Sequence, residues 1–264
     1  MPFWSRTLTA ILAFVSVIAI AITPIQAGSD IGIVVLHGKQ GAGGDRTTGP
    51  FVQALRNAGY TIQTPTMCWS GQRMYDLTWP DCLREIDPAI AALRAGGARR
   101  IVLAGMSQGG NAAIVYGAQH PELAGVIALA PAGQPRQLVN AHGIGQSIVT
   151  ARQMVAAGQG GQRASFVDTN NGQTFSVTTT PAIYLSIVEP GGPADFPMAL
   201  PQLREPIIWV AGTQDPTQRN APPLFAQLPA NRLNRFVQVS SNHLQTPAVG
   251  ADAVLEWLAT LPAR

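Results

Sequence analysis

Short apolar runs alternate with amphipathic stretches along most of the chain. Runs of this kind are typical of strands that a sheet buries on both faces. The predicted strands cover residues 31–36, 61–65, 101–104, 125–129, 206–211 and 235–239. The stretches between them predict helices over residues 51–58, 81–95, 108–120, 223–228 and 248–261. Because alternating strands and helices form parallel βαβ units, the pattern predicts an α/β fold with a doubly wound, mostly parallel sheet.

The alternation stops between residues 132 and 204. This segment holds a predicted helix at 145–157 and two runs of alternating polarity, 165–168 and 174–177, on either side of a turn at 170–172. The Asn-Asn-Gly sequence of that turn is typical of a hairpin. We interpret residues 132–204 as an insertion or cap over the active-site edge of the sheet. A decorative loop without a role in substrate binding is the alternative.

The first 27 residues have the pattern of an export signal. Arg6 gives a positive start, residues 8–22 are largely apolar, and Ala27 offers a small residue for cleavage. The apolar run is shorter than the roughly twenty residues that cross a bilayer, which favours a cleaved signal over a membrane anchor. We therefore expect a signal peptide over residues 1–27 and a mature domain over 28–264. The protein is then secreted or periplasmic, without stable membrane insertion.

Composition narrows the function classes further. Hydrophobic residues make up 46% of the chain and charged residues 12%, which is typical of a globular protein. The formal net charge is +3, and almost all of the positive charges are scattered arginines, since Lys39 is the only lysine. Nucleic-acid binding is disfavoured because no basic stripe with interleaved aromatic residues is present.

Two cysteines, Cys68 and Cys82, are the only ones in the chain. In an exported protein a disulfide bond between them is the natural expectation, and two buried free thiols are the alternative. Neither an H-E-x-x-H nor a C-x-x-C motif is present, so the sequence predicts no metal site and no cofactor.

The pentapeptide Gly105-Met106-Ser107-Gln108-Gly109 separates a predicted strand from a predicted helix. This arrangement places a serine on a sharp turn at the end of a sheet strand. Side chains at either glycine would collide as the helix packs back against the strand. The pattern therefore favours a nucleophilic serine, and an ordinary serine in a Gly-rich turn is the alternative.

A serine hydroxyl becomes a good nucleophile when a histidine accepts its proton and a carboxylate holds that histidine. After a G-x-S-x-G turn, the acid and then the base follow the serine along the chain. His243 follows the last predicted strand, and Asp215 is the acid in the loop after strand 206–211. We predict these as the partners of Ser107. Helix capping is the alternative role for Asp215, and Asp168 and Asp195 are the other candidates for the acid.

An oxyanion hole needs two backbone N–H donors. The predicted donors are Gln108, directly after the serine, and Lys39, in the loop after the first strand, with the Lys39 side chain at the solvent rim. Three aromatic residues in the cysteine loop are candidates for lining the acyl or alcohol pocket: Trp69, Tyr75 and Trp79. Packing beneath that loop is their alternative role.

Four features together resemble the α/β-hydrolase family over residues 31–262: the His-Gly loop after the first strand, the G-x-S-x-G pentapeptide, the G-x-x-D sequence at 212–215, and the late histidine. Within the family, the short chain is similar to the dienelactone-hydrolase-like and small-esterase branch. The resemblance implies a serine hydrolase with Ser107, Asp215 and His243 as its triad.

The same resemblance implies a carboxylic-ester hydrolase that acts on small-molecule esters through an acyl-enzyme intermediate, with oxyanion donors at Lys39 and Gln108. A peptidase, a thioesterase or an acyltransferase uses the same triad. A binding protein that retains the fold without catalysis is a further alternative.

Overall fold

The computed structural model describes Met1 and residues 30–141 and 143–263. Apart from Met1, the predicted signal peptide and its cleavage site lie outside the described residues. Within residues 30–141 and 143–263, no helix has both the length and the apolar character needed to cross a bilayer.

The strands, in chain order, are β1 (Ile31–Leu36), β2 (Thr61–Gln63), β3 (Arg100–Met106), β4 (Gly125–Leu129), β5 (Ala164–Asn170), β6 (Gln173–Thr179), β7 (Ile207–Gly212) and β8 (Arg235–Val239). All of them except β5 and β6 form one sheet in the order β2-β1-β3-β4-β7-β8. Every neighbouring pair in that sheet is parallel. The α/β fold class is therefore confirmed.

The helices, in chain order, are α1 (Gly49–Asn57), α2 (Trp79–Arg84), α3 (Ile86–Ala95), α4 (Gln108–Gln119), α5 (Pro135–Leu138), α6 (Ile144–Ala156), α7 (Pro181–Val188), α8 (Ala221–Phe225), α9 (Thr246–Val249) and α10 (Ala251–Leu258). Short 3₁₀ helices occupy Phe196–Met198, Leu200–Gln202 and Pro216–Gln218.

Alternate residues of each central strand pack into separate cores. On β1, Ile33 and Val35 face a cluster formed with α1 and α10, whereas Val34 and Leu36 face a cluster formed with α3 and α4. Helices therefore cover both faces of the sheet, as a doubly wound fold requires. Because the central strands are buried on both faces, their sequences are continuous apolar runs.

One predicted helix, residues 81–95, is present as two consecutive helices, α2 and α3. Pro88 has no backbone N–H and cannot donate to the carbonyl of Arg84, four residues earlier, so the helical hydrogen bonding is interrupted there. Glu85 lies at the junction, and its carboxylate accepts a hydrogen bond from the backbone N–H of Cys68 at 3.0 Å. The break thus lets Glu85 support the cysteine loop.

Residues 132–204 connect β4 to β7 and contain α5, α6, the antiparallel β5–β6 hairpin and α7. Phe166 of β5 and Tyr184 of α7 stack with ring centroids 4.6 Å apart. Both belong to the same buried cluster as α3 and α4. The hairpin is therefore packed onto the body of the fold and held there by a shared core.

Cys68 and Cys82 form a disulfide bond, with their Cα atoms 5.6 Å apart. The bond joins the loop after β2 to helix α2. Both cysteines are buried, and the rings of Trp69 and Trp79 stack beside them with centroids 5.5 Å apart. The predicted disulfide is therefore part of the core on the α3 and α4 side of the sheet.

We expect replacement of both cysteines, Cys68→Ala with Cys82→Ala, to lower the free energy of unfolding by about 3 kcal/mol. Opening a loop of about fifteen residues releases this much chain entropy in the unfolded state. Chemical denaturation of the two proteins under non-reducing conditions measures the difference. As a control, a reducing agent should destabilise the wild type, which keeps both sulfur atoms in the core, and leave the double variant unchanged. Equal denaturation midpoints for wild type and variant contradict the prediction.

Candidate active site

Ser107 occupies the sharp turn between β3 and α4. Its backbone has φ +55° and ψ −118°, a conformation that costs a residue with a side chain on the order of 1–3 kcal/mol. A Cβ atom at Gly105 would collide with the carbonyl of Gly109, and one at Gly109 would lie 2.6 Å from the carbonyl oxygens of Leu36 and His37. Both glycines are therefore required for α4 to pack against the sheet.

The structure brings the three predicted triad residues together. The hydroxyl oxygen of Ser107 lies 3.0 Å from Nε2 of His243, and Nδ1 of His243 lies 2.5 Å from a carboxylate oxygen of Asp215. With Asp215 accepting the Nδ1 proton, Nε2 is the unprotonated nitrogen that can accept the serine proton. The arrangement can therefore generate a serine alkoxide next to an imidazolium ion.

Asp215 follows β7 and is held by its own loop. Its second carboxylate oxygen accepts hydrogen bonds from the backbone N–H of Thr217 at 3.0 Å and from the Thr217 hydroxyl at 2.7 Å. Burial alone would raise the pKa of Asp215, but hydrogen bonds from His243 and Thr217 outweigh it and lower the pKa below its usual value. The carboxylate therefore caps the following 3₁₀ helix and is also available to His243 in its ionised form.

The two other acids considered for the triad have different partners. Asp168 accepts hydrogen bonds from the Lys39 ammonium, and Asp195 accepts one from the Arg136 guanidinium at 2.7 Å. Both carboxylates are fully buried in the insertion. Neither has a hydrogen bond to His243 within the described part of the chain.

The loop after β1 passes directly over the nucleophile. A Cβ atom on Gly38 would lie 2.9 Å from the sulfur of Met106 and 3.4 Å from Cβ of Ser107. The carbonyl of Gly38 accepts a hydrogen bond from the backbone N–H of Gly41 at 3.1 Å. Since the peptide bond is trans, the N–H of Lys39 points away from this carbonyl.

Among the described residues, no acceptor is found for the backbone N–H of Lys39 or of Gln108. Gln108 is the first residue of α4, where helix geometry leaves N–H groups without intrahelical partners. The two predicted oxyanion donors are therefore both available for a ligand next to Ser107.

His37 has a role that the sequence did not reveal. Its Nε2 accepts a hydrogen bond from the backbone N–H of Met67 at 2.9 Å, so Nδ1 carries the proton and donates to the Gly38 carbonyl at 2.8 Å. Burial lowers the pKa of His37, which agrees with a neutral ring. The ring thus fixes the orientation of the peptide group that precedes Lys39.

In this region one expected side-chain position is wrong, and three aromatic residues are found in the packing role that was their alternative. The Lys39 side chain is only 8% exposed and forms an ion pair with Asp168, because the β5–β6 hairpin covers it. The aromatic residues Trp69, Tyr75 and Trp79 are at most 1% exposed and line neither of the large cavities at Ser107. They pack around the disulfide loop, and the Tyr75 hydroxyl also donates a hydrogen bond to Asp168.

Two cavities, each of about 500 Å³, meet at Ser107 and His243. The first is formed mainly by the loop after β1, and includes Arg46 and Gln72. The second is formed by the insertion and the Asp215 loop, and includes Leu138. Residues 170–171, at the turn of the hairpin, line both cavities. No motif marks these lining residues in the sequence, apart from the hairpin turn.

The described residues offer no cluster of three or more His, Cys, Asp or Glu side chains that could hold a metal ion.

Several solved structures share this fold. A structure of Est1E from Butyrivibrio proteoclasticus with bound ferulic acid superposes with a TM-score of 0.61 at 16% identity, covering 89% of this chain and 90% of that chain. The monoacylglycerol lipase of Paleococcus ferrophilus gives a TM-score of 0.60 at 18% identity, with 87% and 94% covered. A structure from work on LipS and LipT, two metagenome-derived lipolytic enzymes, gives 0.59 at 19% identity, with 87% and 91% covered.

No curated protein sequence matches the chain. At identities below one fifth, the solved structures establish the common fold, and the narrower resemblance to the dienelactone-hydrolase-like branch stays a prediction. The family model described as "Alpha/beta hydrolase family" matches residues 33–256, which is most of the chain. The chain therefore belongs to the alpha/beta hydrolase family.

Proposed function

We propose that the protein is an exported serine hydrolase that cleaves carboxylic esters of small molecules through an acyl-enzyme intermediate. The observation that carries this proposal is the continuous hydrogen-bonded series from Ser107 through His243 to Asp215, at the meeting point of two cavities. The lipolytic enzymes and the monoacylglycerol lipase among the solved structures with this fold support ester cleavage as the reaction.

In the first half of the reaction, Nε2 of His243 accepts the Ser107 proton as the serine oxygen attacks the ester carbonyl carbon. The carbonyl oxygen becomes negatively charged, and the backbone N–H groups of Lys39 and Gln108 donate to it. His243 then returns the proton to the alkoxy oxygen as the carbon–oxygen bond breaks. The alcohol leaves, and the acyl group remains on Ser107.

In the second half, His243 removes a proton from a water molecule as that water attacks the acyl carbon. The same N–H groups stabilise the second oxyanion. The bond to the Ser107 oxygen breaks, His243 returns the proton to it, and the carboxylic acid is released. Asp215 stays ionised and balances the imidazolium charge in both halves.

Both cavities border Ser107 and His243. We propose that one holds the acyl part of the ester and the other holds the alcohol part. Because the insertion contributes Leu138 and residues 170–172 to the second cavity, we propose that residues 132–204 act as a cap on a single mature domain, 28–264.

Export is supported by two independent features. The first is the predicted signal peptide over residues 1–27. The second is the Cys68–Cys82 disulfide, a bond that persists in oxidising compartments such as the periplasm or the extracellular space. We therefore propose a secreted or periplasmic location for the mature protein.

Ser107→Ala should lower kcat for ester hydrolysis by about 10⁴-fold or more, because it removes the nucleophile. It should also abolish covalent labelling by a fluorophosphonate probe. Hydrolysis of p-nitrophenyl esters and in-gel fluorescence of labelled protein measure the two effects. Ser165→Ala, which changes an exposed serine on β5, is the matched control and should retain both. Labelling that survives in the Ser107 variant contradicts the proposal.

A p-nitrophenyl ester should be hydrolysed faster than the p-nitroanilide with the same acyl group, since we propose an esterase and not a peptidase. The ratio of the two kcat/KM values measures this preference. A series of acyl chain lengths and a thioester of the same acid complete the comparison. Faster cleavage of the anilide or of the thioester would replace ester hydrolysis as the proposed reaction.

The stability difference between wild type and Asp215→Asn should shrink as the pH falls. The lowered pKa of Asp215 means that its ionised form favours the folded state. This contribution is complete above the unfolded-state pKa of about 3.9 and is lost as the pH falls through the lower folded-state value. Urea denaturation of both proteins at neutral pH and at several acidic values measures it. A difference that does not change with pH would contradict the assignment.

A further inference from the structure

The side chain of Lys39 joins the loop after β1 to the β5–β6 hairpin. Its Nζ atom donates to both carboxylate oxygens of Asp168 at 2.8 Å and to the carbonyl of Thr169 at 3.0 Å. An ammonium group has three hydrogens, so these acceptors use all of its donors. The Asp168 carboxylate is fully buried. The only lysine of the chain is therefore an anchor, with no donor left for a substrate.

A second contact holds the backbone of the same residue. The side-chain amide of Asn170 donates to the Lys39 carbonyl at 3.1 Å and to the side-chain oxygen of Gln40 at 2.9 Å. Gln40 has φ +61°, a left-handed conformation that costs energy for a residue other than glycine. The hairpin thus forms hydrogen bonds to a strained stretch of backbone, which directly follows the N–H group proposed as an oxyanion donor.

The same carboxylate also accepts a hydrogen bond from Tyr75, which lies next to the second proposed donor residue. The hydroxyl of Tyr75 donates to Asp168 at 2.8 Å, and the Gln108 side chain lies beside this hydroxyl. Burial, and after it the charge of Asp168, raises the pKa of Tyr75, so the phenol keeps its proton and remains a donor. Asp168 therefore contacts both Lys39 and Tyr75 directly, and Tyr75 lies beside the Gln108 side chain.

We propose that Asp168 is a positioning residue for the oxyanion hole, acting through the Lys39 side chain to hold the Lys39 backbone N–H beside Ser107. This inference rests on the proposed ester hydrolysis. A donor to the oxyanion is effective only within about 2.7–3.1 Å of the oxygen, so a loop free to shift loses much of the stabilisation. The insertion then contributes to the rate by holding the loop, in addition to lining the cavities.

The simpler alternative is that the Lys39–Asp168 pair supports folding only. Removing one partner of a buried pair leaves an uncompensated charge, so it destabilises a protein whether or not catalysis is involved. A loss of stability is therefore expected under both explanations. The changes in kcat and KM of a folded variant separate them.

Asp168→Asn is the first test variant, because it keeps the shape of the side chain and removes the charge that Lys39 needs. Since an oxyanion hole acts on the transition state, kcat for p-nitrophenyl ester hydrolysis should fall about 10- to 100-fold, with KM changed by less than about twofold. Assays are run well below the thermal midpoint of each variant, with folding checked by circular dichroism. An unchanged kcat in the folded variant overturns the inference.

Asp195→Asn is the matched control. Asp195 is also a fully buried carboxylate of the insertion, and it accepts hydrogen bonds from Arg136 at 2.7 Å and from the backbone N–H of Gly191 at 2.8 Å. It has no hydrogen bond to the loop after β1 within the described residues. This variant should lose stability and keep kcat within about twofold. An equal fall of kcat in both variants overturns the inference in favour of a general folding effect.

Lys39→Met is a second route to the same result. It keeps the backbone N–H and most of the unbranched side chain without the ammonium group, and it breaks the anchor even if Asp168→Asn does not fold. A comparable fall in kcat supports the inference, and the double variant should lose no more than the more affected single variant because both changes remove one anchor. Fully additive losses, or unchanged kcat in folded Lys39→Met, overturn it. If the wild type itself shows no Ser107-dependent ester hydrolysis, the proposed function fails instead.

Discussion

The close approach of helix α4 to strands β1 and β3 is the constraint on which the site depends. It is possible only because Gly105 and Gly109 have no side chains, and it forces the strained backbone of Ser107. The packing of a buried helix against a buried strand compensates for this strain, since both elements are almost wholly shielded from solvent. The same turn places the Ser107 hydroxyl beyond the end of the strand, within reach of loops from other strands, and leaves the N–H of Gln108 without an intrahelical partner.

The parallel arrangement of the sheet brings the other residues of the site to Ser107. Because all its strands run in one direction, the loops after β1, β3, β7 and β8 emerge at one edge, and they supply Lys39, Ser107, Asp215 and His243. The insertion follows β4, which lies between β3 and β7, so its hairpin emerges at the same edge. Residues distant in the chain thus meet without any long excursion of the backbone.

The features that the sequence predicted well are those with a local signal. The central strands are within two residues of their predicted bounds, because burial on both faces leaves an unbroken apolar run. The places of Asp215 and His243 followed from chain order relative to Ser107. Lys39 was misplaced because lysine is normally exposed, and its burial depends on Asp168, 129 residues away. For the aromatic residues both pocket lining and packing stayed open, because a loop sequence alone does not tell which of its faces is packed.

The β5–β6 hairpin has two roles, and this limits how far substrate range and turnover can change independently of each other. Residues 170–171 at its turn form part of both cavity walls, while Asp168 and the same Asn170 hold the loop over the nucleophile. A cap that only lined the pocket could be exchanged like a module to accept other substrates. Here, exchanging or resizing the hairpin would change the shape of the cavities and, at the same time, the hydrogen bonds that hold the loop over Ser107. Substrate range and turnover are therefore expected to evolve as linked traits in this chain.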